Sequence, residues 1–170
     1  PMNFMINESE QKLRGGYYTP LDLAVYIARW TLTQKSQQVL EPSCGDGIFI
    51  QAIAELGRQK DITFTGFELS AAEAAKARNR AKCNQSLKTK INGEDFLQWA
   101  LLQMASAKTP FDAVVGNPPF IRYQYLPEDA QLKAEGIFKV LGLPFTKHTN
   151  AWVPFVLASI ALLKPGGRLG

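Results

Sequence analysis

Short strand-like runs alternate with helix-like segments along this chain, and that alternation limits its possible folds more than any other feature. Gln38-Val39-Leu40, Ile62-Thr63-Phe64-Thr65-Gly66-Phe67, Lys90-Ile91-Asn92 and Phe111-Asp112-Ala113-Val114-Val115 read as strands. Helices are predicted over residues 20–33, 47–56, 70–83 and 150–163. In the first, Leu21, Leu23, Val25, Ile27, Ala28 and Trp30 supply the apolar positions, with Thr19 as N-cap and Pro20 at the first helical position. Ser70 caps the third. Strands separated by helices in this way favour βαβ units, so the expectation is an α/β fold, a doubly wound parallel sheet with helices on both faces. Ligands of such sheets bind beyond the carboxyl ends of the strands, where the strand order reverses. Lys164-Pro165-Gly166-Gly167 closes the last helix, and Arg168-Leu169-Gly170 reads as the opening of a fifth strand. The sheet is therefore expected to be C-terminally incomplete.

The chemistry-bearing residues gather at those strand ends. Glu41-Pro42-Ser43-Cys44-Gly45-Asp46-Gly47 links the first strand to its helix, and Gly45 and Gly47 let a ligand approach the backbone. The spacing is not the G-x-G-x-x-G of a dinucleotide turn. Glu41 and Asp46 would also repel a pyrophosphate at the helix N-terminus, where anions are otherwise favoured. A cationic ligand suits them, and S-adenosylmethionine carries both a sulfonium and an ammonium. Glu68 ends the second strand and can accept from both hydroxyls of a ribose. Asp95 follows the third strand and can accept from an adenine amino group, with Phe96 beside it to stack on the ring. Taken singly, each acid could equally cap a helix or turn. Taken in order, they make methionine, ribose and adenine subsites.

The fourth strand runs into Asn117-Pro118-Pro119-Phe120. Two prolines fix two φ angles and remove two N–H groups, and the first pushes Asn117 into an extended conformation. The product is a stiff loop presenting an amide, bare carbonyls and an aromatic ring, which suits a flat molecule with an exocyclic amine.

At 170 residues the chain has room for one domain with a sizeable core. No apolar run approaches the ~20 residues of a spanning helix. Pro1-Met2-Asn3-Phe4 lacks the basic and apolar regions of a signal peptide, which makes a cytoplasmic protein the expectation. Two cysteines without paired spacing and a single histidine, His148, give no reason to expect a metal. A net charge of +4 permits nucleic-acid binding without arguing strongly for it.

Tyr17-Tyr18-Thr19-Pro20, the Glu41–Gly47 loop, Phe67-Glu68-Leu69, Asp95-Phe96, Asn117-Pro118-Pro119-Phe120 and Leu163-Lys164-Pro165-Gly166-Gly167 occur in the order found in gamma-class adenine-N6 DNA methyltransferases. The chain resembles most the type II restriction-linked enzymes, from about Gly15 to its end. That resemblance implies a Rossmann-like catalytic domain of the class I S-adenosylmethionine-dependent methyltransferases over residues 15–170, with residues 1–14 as an N-terminal extension. It implies that Tyr18, Thr19 and Pro20 contact the methionine end of the cofactor, together with Glu41 and the Pro42–Gly47 loop. Glu68 would hold the ribose, Leu69 would lie on the adenine, and Asp95 with Phe96 would recognise its edge. Asn117, Pro118, Pro119 and Phe120 would act on an adenine flipped out of double-stranded DNA. Phe120 departs from the commoner tyrosine: the ring remains and a hydroxyl contact is lost. The resemblance also implies later strands, a target-recognition domain and, in some members, a fused nuclease.

Other readings stand beside these. An Asn-Pro-Pro-aromatic loop also occurs in methyltransferases of protein glutamine and of RNA, and a non-catalytic cofactor-binding module is a third reading. Arg122 and Tyr123 can either contact the nucleotide or pack the loop. Phe155, on the last helix, can border the target base or belong to the core. Lys76, Arg78, Arg80 and Lys82 are expected on a solvated helix face, and His148 at the surface.

Overall fold

The computed structural model describes residues 18–57, 61–84, 87–106 and 110–170. The expected extension over residues 1–14, Gly15 and Tyr17 lie outside the described residues. In chain order the elements are α1 (Leu21–Thr31), β1 (Gln38–Glu41), α2 (Ile48–Glu55), β2 (Thr63–Phe67), α3 (Ala71–Cys83), β3 (Lys88–Asn92), α4 (Phe96–Ala105), β4 (Phe111–Val114), a 3-10 turn (Tyr123–Tyr125), α5 (Glu128–Val140), α6 (Trp152–Leu162) and β5 (Leu163–Leu169). All strand pairs are parallel, in the order β3-β2-β1-β4-β5. The chain steps outward from β1 to β3, then returns past β1 to add β4 and β5. The order therefore reverses between β1 and β4, where a doubly wound sheet places its binding crevice.

Adjacent residues of β1 face opposite cores. Val39 joins Ala24, Phe49, Ile53, Phe64 and Ala77 under α1, α2 and α3. Leu40 joins Phe96, Ala100, Ile137 and Leu162 under α4, α5 and α6. Crossover helices cover both faces, as a parallel sheet requires, and each fully buried Leu, Ile or Phe side chain contributes about 1.5–3 kcal/mol. The second face is rich in aromatics: Phe67, Phe96, Trp99, Phe111 and Phe155 form a chain of ring contacts with centroids 4.7 to 6.2 Å apart.

Several local features differ from the sequence expectation. Ser70 caps α3 by accepting from the Glu73 N–H, as expected. At α1, however, Pro20 occupies the cap position and no side chain caps the helix. Thr19 lies one residue outside and its hydroxyl serves another partner. The helices α4 and α5 carry no clear sequence signal. In α4 apolar residues lie all round (Phe96, Leu97, Trp99, Ala100, Leu101, Leu102), which erases the 3.6-residue period. In α5 Gly136 interrupts the helix interior. Finally, Lys164-Pro165-Gly166-Gly167 lies within β5 and does not close α6. The register with β4 jumps from Phe111↔Leu163 to Ala113↔Arg168, so the four residues are taken up as a bulge. Arg168 and Leu169 consequently end β5 and do not open it. Among the described residues no helix is long and apolar enough to cross a membrane.

Candidate active site

Glu41 is the last residue of β1 and only 2% exposed. Among the described residues its Oε2 is buried without a hydrogen-bond partner. Burial pushes its carboxyl well above the usual carboxylate range, and the negative charges of Asp46 and Glu68 push the same way. Burial, followed by Glu41 and Glu68, likewise raises the neighbouring Cys44 thiol, so this cysteine is a packed thiol and not a nucleophile. An uncompensated buried acid is costly. A cation set against Glu41 would offset that cost.

The glycine loop is held from two sides. Cys44 N–H donates to the Phe67 carbonyl at 2.8 Å, and Gly45 N–H donates to Glu68 Oε2 at 3.0 Å. Gly47 has φ +81°, and a Cβ there would sit 3.0 Å from Ala77, so the loop presses directly on α3. Gly45 has φ +50° with open space on its Cβ side. Arg80 of α3 reaches back to donate to the Asp46 carbonyl at 3.1 Å and to Asp46 Oδ2 at 2.7 Å. Arg80 therefore braces the loop, which corrects its assignment to a solvated face. Asp46 is correspondingly paired, and among the described residues no cation is set against Glu41.

At the end of β2, Glu68 Oε1 accepts from Ser70 N–H at 2.7 Å while Oε2 accepts from Gly45. Each oxygen keeps a second lone pair, enough for two hydroxyls. Leu69 follows, 69% exposed. After β3, Asp95 caps α4, its Oδ1 accepting from Leu97 N–H at 2.9 Å and Gln98 N–H at 3.2 Å. Phe96 departs from its expected stacking role. It is 2% exposed and its ring lies 5.5 Å from that of Phe67 and 5.6 Å from that of Phe155, so it forms part of the core.

The loop after β4 is tied to both neighbours. Ser43 Oγ donates to the Asn117 carbonyl at 3.3 Å. The Asn117 side chain donates from Nδ2 to Thr19 Oγ1 at 3.4 Å. Tyr18, next to Thr19, is anchored on α3 through Glu73, with Lys76 against its ring and hydroxyl. Phe120 holds its ring 53% exposed. A shallow cleft opens beside Pro118, lined by Pro42, Ser43, Gly116, Phe155 and Ser159 among others. Phe155 thus serves both the core and the cleft.

Tyr123 is a correction. Its ring is buried against Phe145, its hydroxyl donates to Glu135, and burial followed by that contact pushes its pKa up to about 12. Of the pair considered for the nucleotide, only Arg122 is exposed. Sequence reasoning did not single out Ser43 Oγ, Arg80 or Lys133 for the contacts they make. Each is legible only once distant segments meet.

A β3-β2-β1-β4-β5 parallel sheet carrying these loops at its carboxyl edge defines the Rossmann-like domain of class I S-adenosylmethionine-dependent methyltransferases. Residues 3–170 match the family model for N-6 DNA methylase, and the chain belongs to that family. It is 28% identical over 181 residues to the type II methyltransferase M.BanIII of Aneurinibacillus aneurinilyticus, an alignment covering 95% of this chain and 30% of the relative. It is 25% identical over 166 residues to M.HincII of Haemophilus influenzae, covering 96% of this chain and 28% of the relative. Among solved structures it superposes on the type I restriction-modification system methyltransferase subunit of Streptococcus thermophilus with TM-score 0.68 at 19% identity, covering 90% of this chain and 33% of that one. The chain spans 30% or less of the length of these two curated relatives.

The strand-end residues fit the cofactor of this fold class. The buried, unpartnered oxygen of Glu41 suits a cationic ligand, and the open side of Gly45 leaves room for one beside the backbone. Glu68 has the acceptor capacity for a ribose.

Proposed function

We propose that the complete protein transfers a methyl group from S-adenosylmethionine to N6 of adenine in double-stranded DNA, as part of a cytoplasmic restriction-modification or related defence system. The observation that carries this reading is the placement of Asn117. Its backbone is bound to the β1 loop through Ser43 and its side chain to the segment before α1 through Thr19, so an amine-accepting loop is fixed beside the cofactor strand ends.

The adenine N6 lone pair is delocalised into the ring, which makes the amine a poor nucleophile. Asn117 Oδ1 and the Pro118 carbonyl are two acceptors for the two amine hydrogens, and together they favour a tetrahedral nitrogen with a localised pair. Both are neutral dipoles fixed in advance where positive charge develops. When bound, S-adenosylmethionine supplies an electrophilic methyl on its sulfonium, whose S–C bond breaks as the N–C bond forms. The two carbonyls stay on the amine hydrogens until the extra proton leaves to water. Thr19 holds the amide nitrogen of Asn117 away, which turns the oxygen toward the amine. Phe120, with its ring exposed, stacks on a base that has left the duplex, as chemistry on a duplex base requires. Glu41 and the Pro42–Gly47 loop hold the methionine end, with Tyr18, Thr19 and Pro20 beside them. Glu68 holds the ribose, Leu69 covers the purine and Asp95 takes its amino edge. Arg122 is placed to meet a phosphate. A target-recognition region and any nuclease are further parts, fused or separate, of the same proposal.

The test is methyl transfer from tritiated cofactor to duplex DNA by the full-length protein. Asn117→Ala should keep cofactor binding and lose at least about 100-fold in transfer, the usual cost of a preorganised polar group. Transfer to RNA or to protein glutamine in place of DNA, or full activity in that variant, would overturn the reading.

A further inference from the structure

Lys133 of α5 sits between two carboxylates, 2.9 Å from Asp95 Oδ2 and 2.9 Å from Asp129 Oδ2. The two partners differ. Asp129 is one turn away on the same helix and 70% exposed at its side chain, which makes it an ordinary surface pair of little value. Asp95 lies 38 residues away, and its side chain and that of Lys133 are both largely withdrawn from solvent.

Capping does not explain that reach. The two N–H groups at the start of α4 are already met by Asp95 Oδ1, and Ser70 caps α3 without a lysine. What Lys133 engages is the other oxygen, the one that capping leaves over. Its delivery is built in. Gln131 Nε2 donates to the carbonyls of Tyr123 at 3.3 Å and Leu126 at 3.0 Å, the Tyr123 hydroxyl donates to Glu135, and Ala134 and Ile137 are buried. The helix is thereby docked in one register, with the ammonium at Asp95.

We propose that Lys133 is a positioning residue that fixes the Asp95 carboxylate toward the amino edge of the cofactor's purine and so sets selectivity for a 6-amino over a 6-oxo ring. The inference rests on the reading that Asp95 takes that edge. A carboxylate accepts from a 6-amino group and repels a 6-oxo oxygen, and a site built to accept from an N–H discriminates strongly against an analogue without it. Discrimination of that kind needs the acceptor held in one orientation, and the ammonium supplies the hold on Oδ2. Hydrogen bonds to Asp95 and then Asp129 raise the Lys133 pKa, so it stays a cation throughout the working range.

Calorimetry on the full-length chain with S-adenosylhomocysteine and S-inosylhomocysteine tests this. The wild type should prefer the adenosyl ligand by about 10- to 100-fold, the range of one charge-assisted hydrogen bond. Asp95→Asn should lose or reverse the preference. Lys133→Met and Lys133→Gln should each shrink it by about tenfold, and Lys133→Arg should keep most of it. General loosening of the fold weakens both ligands alike and leaves the ratio unmoved. If Asp95→Asn loses the preference and both neutral Lys133 variants retain it, or bind the adenosyl ligand more tightly, the role of Lys133 is overturned and that of Asp95 survives. A wild type without preference overturns the reading of Asp95 and this inference with it.

Discussion

The Asn117 side-chain amide donates to the Thr19 hydroxyl at 3.4 Å across 98 residues of sequence. One residue belongs to the segment that leads into the first helix, the other to the loop beyond the fourth strand. In the proposed mechanism this contact helps to turn the amide oxygen toward the substrate amine. Thr19→Val keeps the shape and removes this acceptor, which weakens the amide's preferred direction. The expected result in the full-length protein is a fall in kcat of about tenfold, the worth of one hydrogen bond of about 1 kcal/mol or somewhat more. Thr19→Ser should restore it. Equal rates for the valine and serine variants would show that the contact does not orient the amide.

Glu41 predicts an opposition between stability and binding. Its carboxyl is raised in the folded chain, chiefly by burial. A group of that kind stabilises the fold below its unfolded pKa, and the contribution is lost as pH rises through the folded value. Above the ordinary carboxylate range, folding must either keep Glu41 protonated or bury its charge, and both work against the ligand-free fold. Glu41→Gln should be more stable than wild type at pH 8, by about 1 kcal/mol or more, because a neutral amide avoids both the buried charge and the proton uptake that the raised carboxyl requires. The gain should vanish toward pH 4. The same variant should bind the cofactor more weakly. Thermal melts at both pH values, paired with titrations, check this, and a variant less stable than wild type at pH 8 contradicts it.

The two loop glycines should fail differently. Gly47→Ala combines a positive φ with a contact at 3.0 Å against Ala77, where backbone and Cβ both stand in the way. The expected loss is about 2–4 kcal/mol. Gly45→Ala meets no neighbour and should cost only about 1 kcal/mol. Its methyl nonetheless fills the open side of the loop, so the cofactor dissociation constant should rise while the fold persists. Denaturant titration and calorimetry on each variant separate the two effects.

Arg80→Met should loosen the Asp46 loop. The guanidinium lies 2.7 Å from Asp46 Oδ2, with both side chains mostly withdrawn from solvent. Removing it leaves Asp46 without its cation and should cost about 1–3 kcal/mol. Because the pair is partly buried, the cost should persist at high salt, where an exposed pair would be screened. A wild-type melting curve, or a loss that disappears in about 1 M salt, would show that Arg80 is an ordinary surface residue.

The fold was readable because its signals are local. Strand composition, the Ser70 cap and the glycine loop each lie within a few residues, and together they lead to a parallel sheet with its loops at one edge. The Glu41, Glu68, Asp95 and Asn117 positions were readable for the same reason, since each ends a strand or lies within three residues of a strand's end. What escaped depends on distance or on uniformity. Arg80 meets Asp46 from 34 residues away and Lys133 meets Asp95 from 38, and no window of sequence contains either pair. The helix at Phe96–Ala105 escaped because apolar residues on every side leave no stripe to detect. Phe96 looked like a stacking ring because it follows Asp95. The first turn of a buried helix, however, aims that position inward.

The sheet order also sets a sequence of events. β1 pairs with β2 through a short crossover, while Ser43 and Asn117 meet only after 74 residues of chain have closed. Local pairings form sooner than distant ones, because closing a longer loop costs more entropy before any contact repays it. A chain leaving the ribosome N-terminus first therefore presents the β1 and β2 segments of the acidic seat before the loop after β4 exists to face them. The loop bearing Asn117 is the last of these strand-end segments to be made.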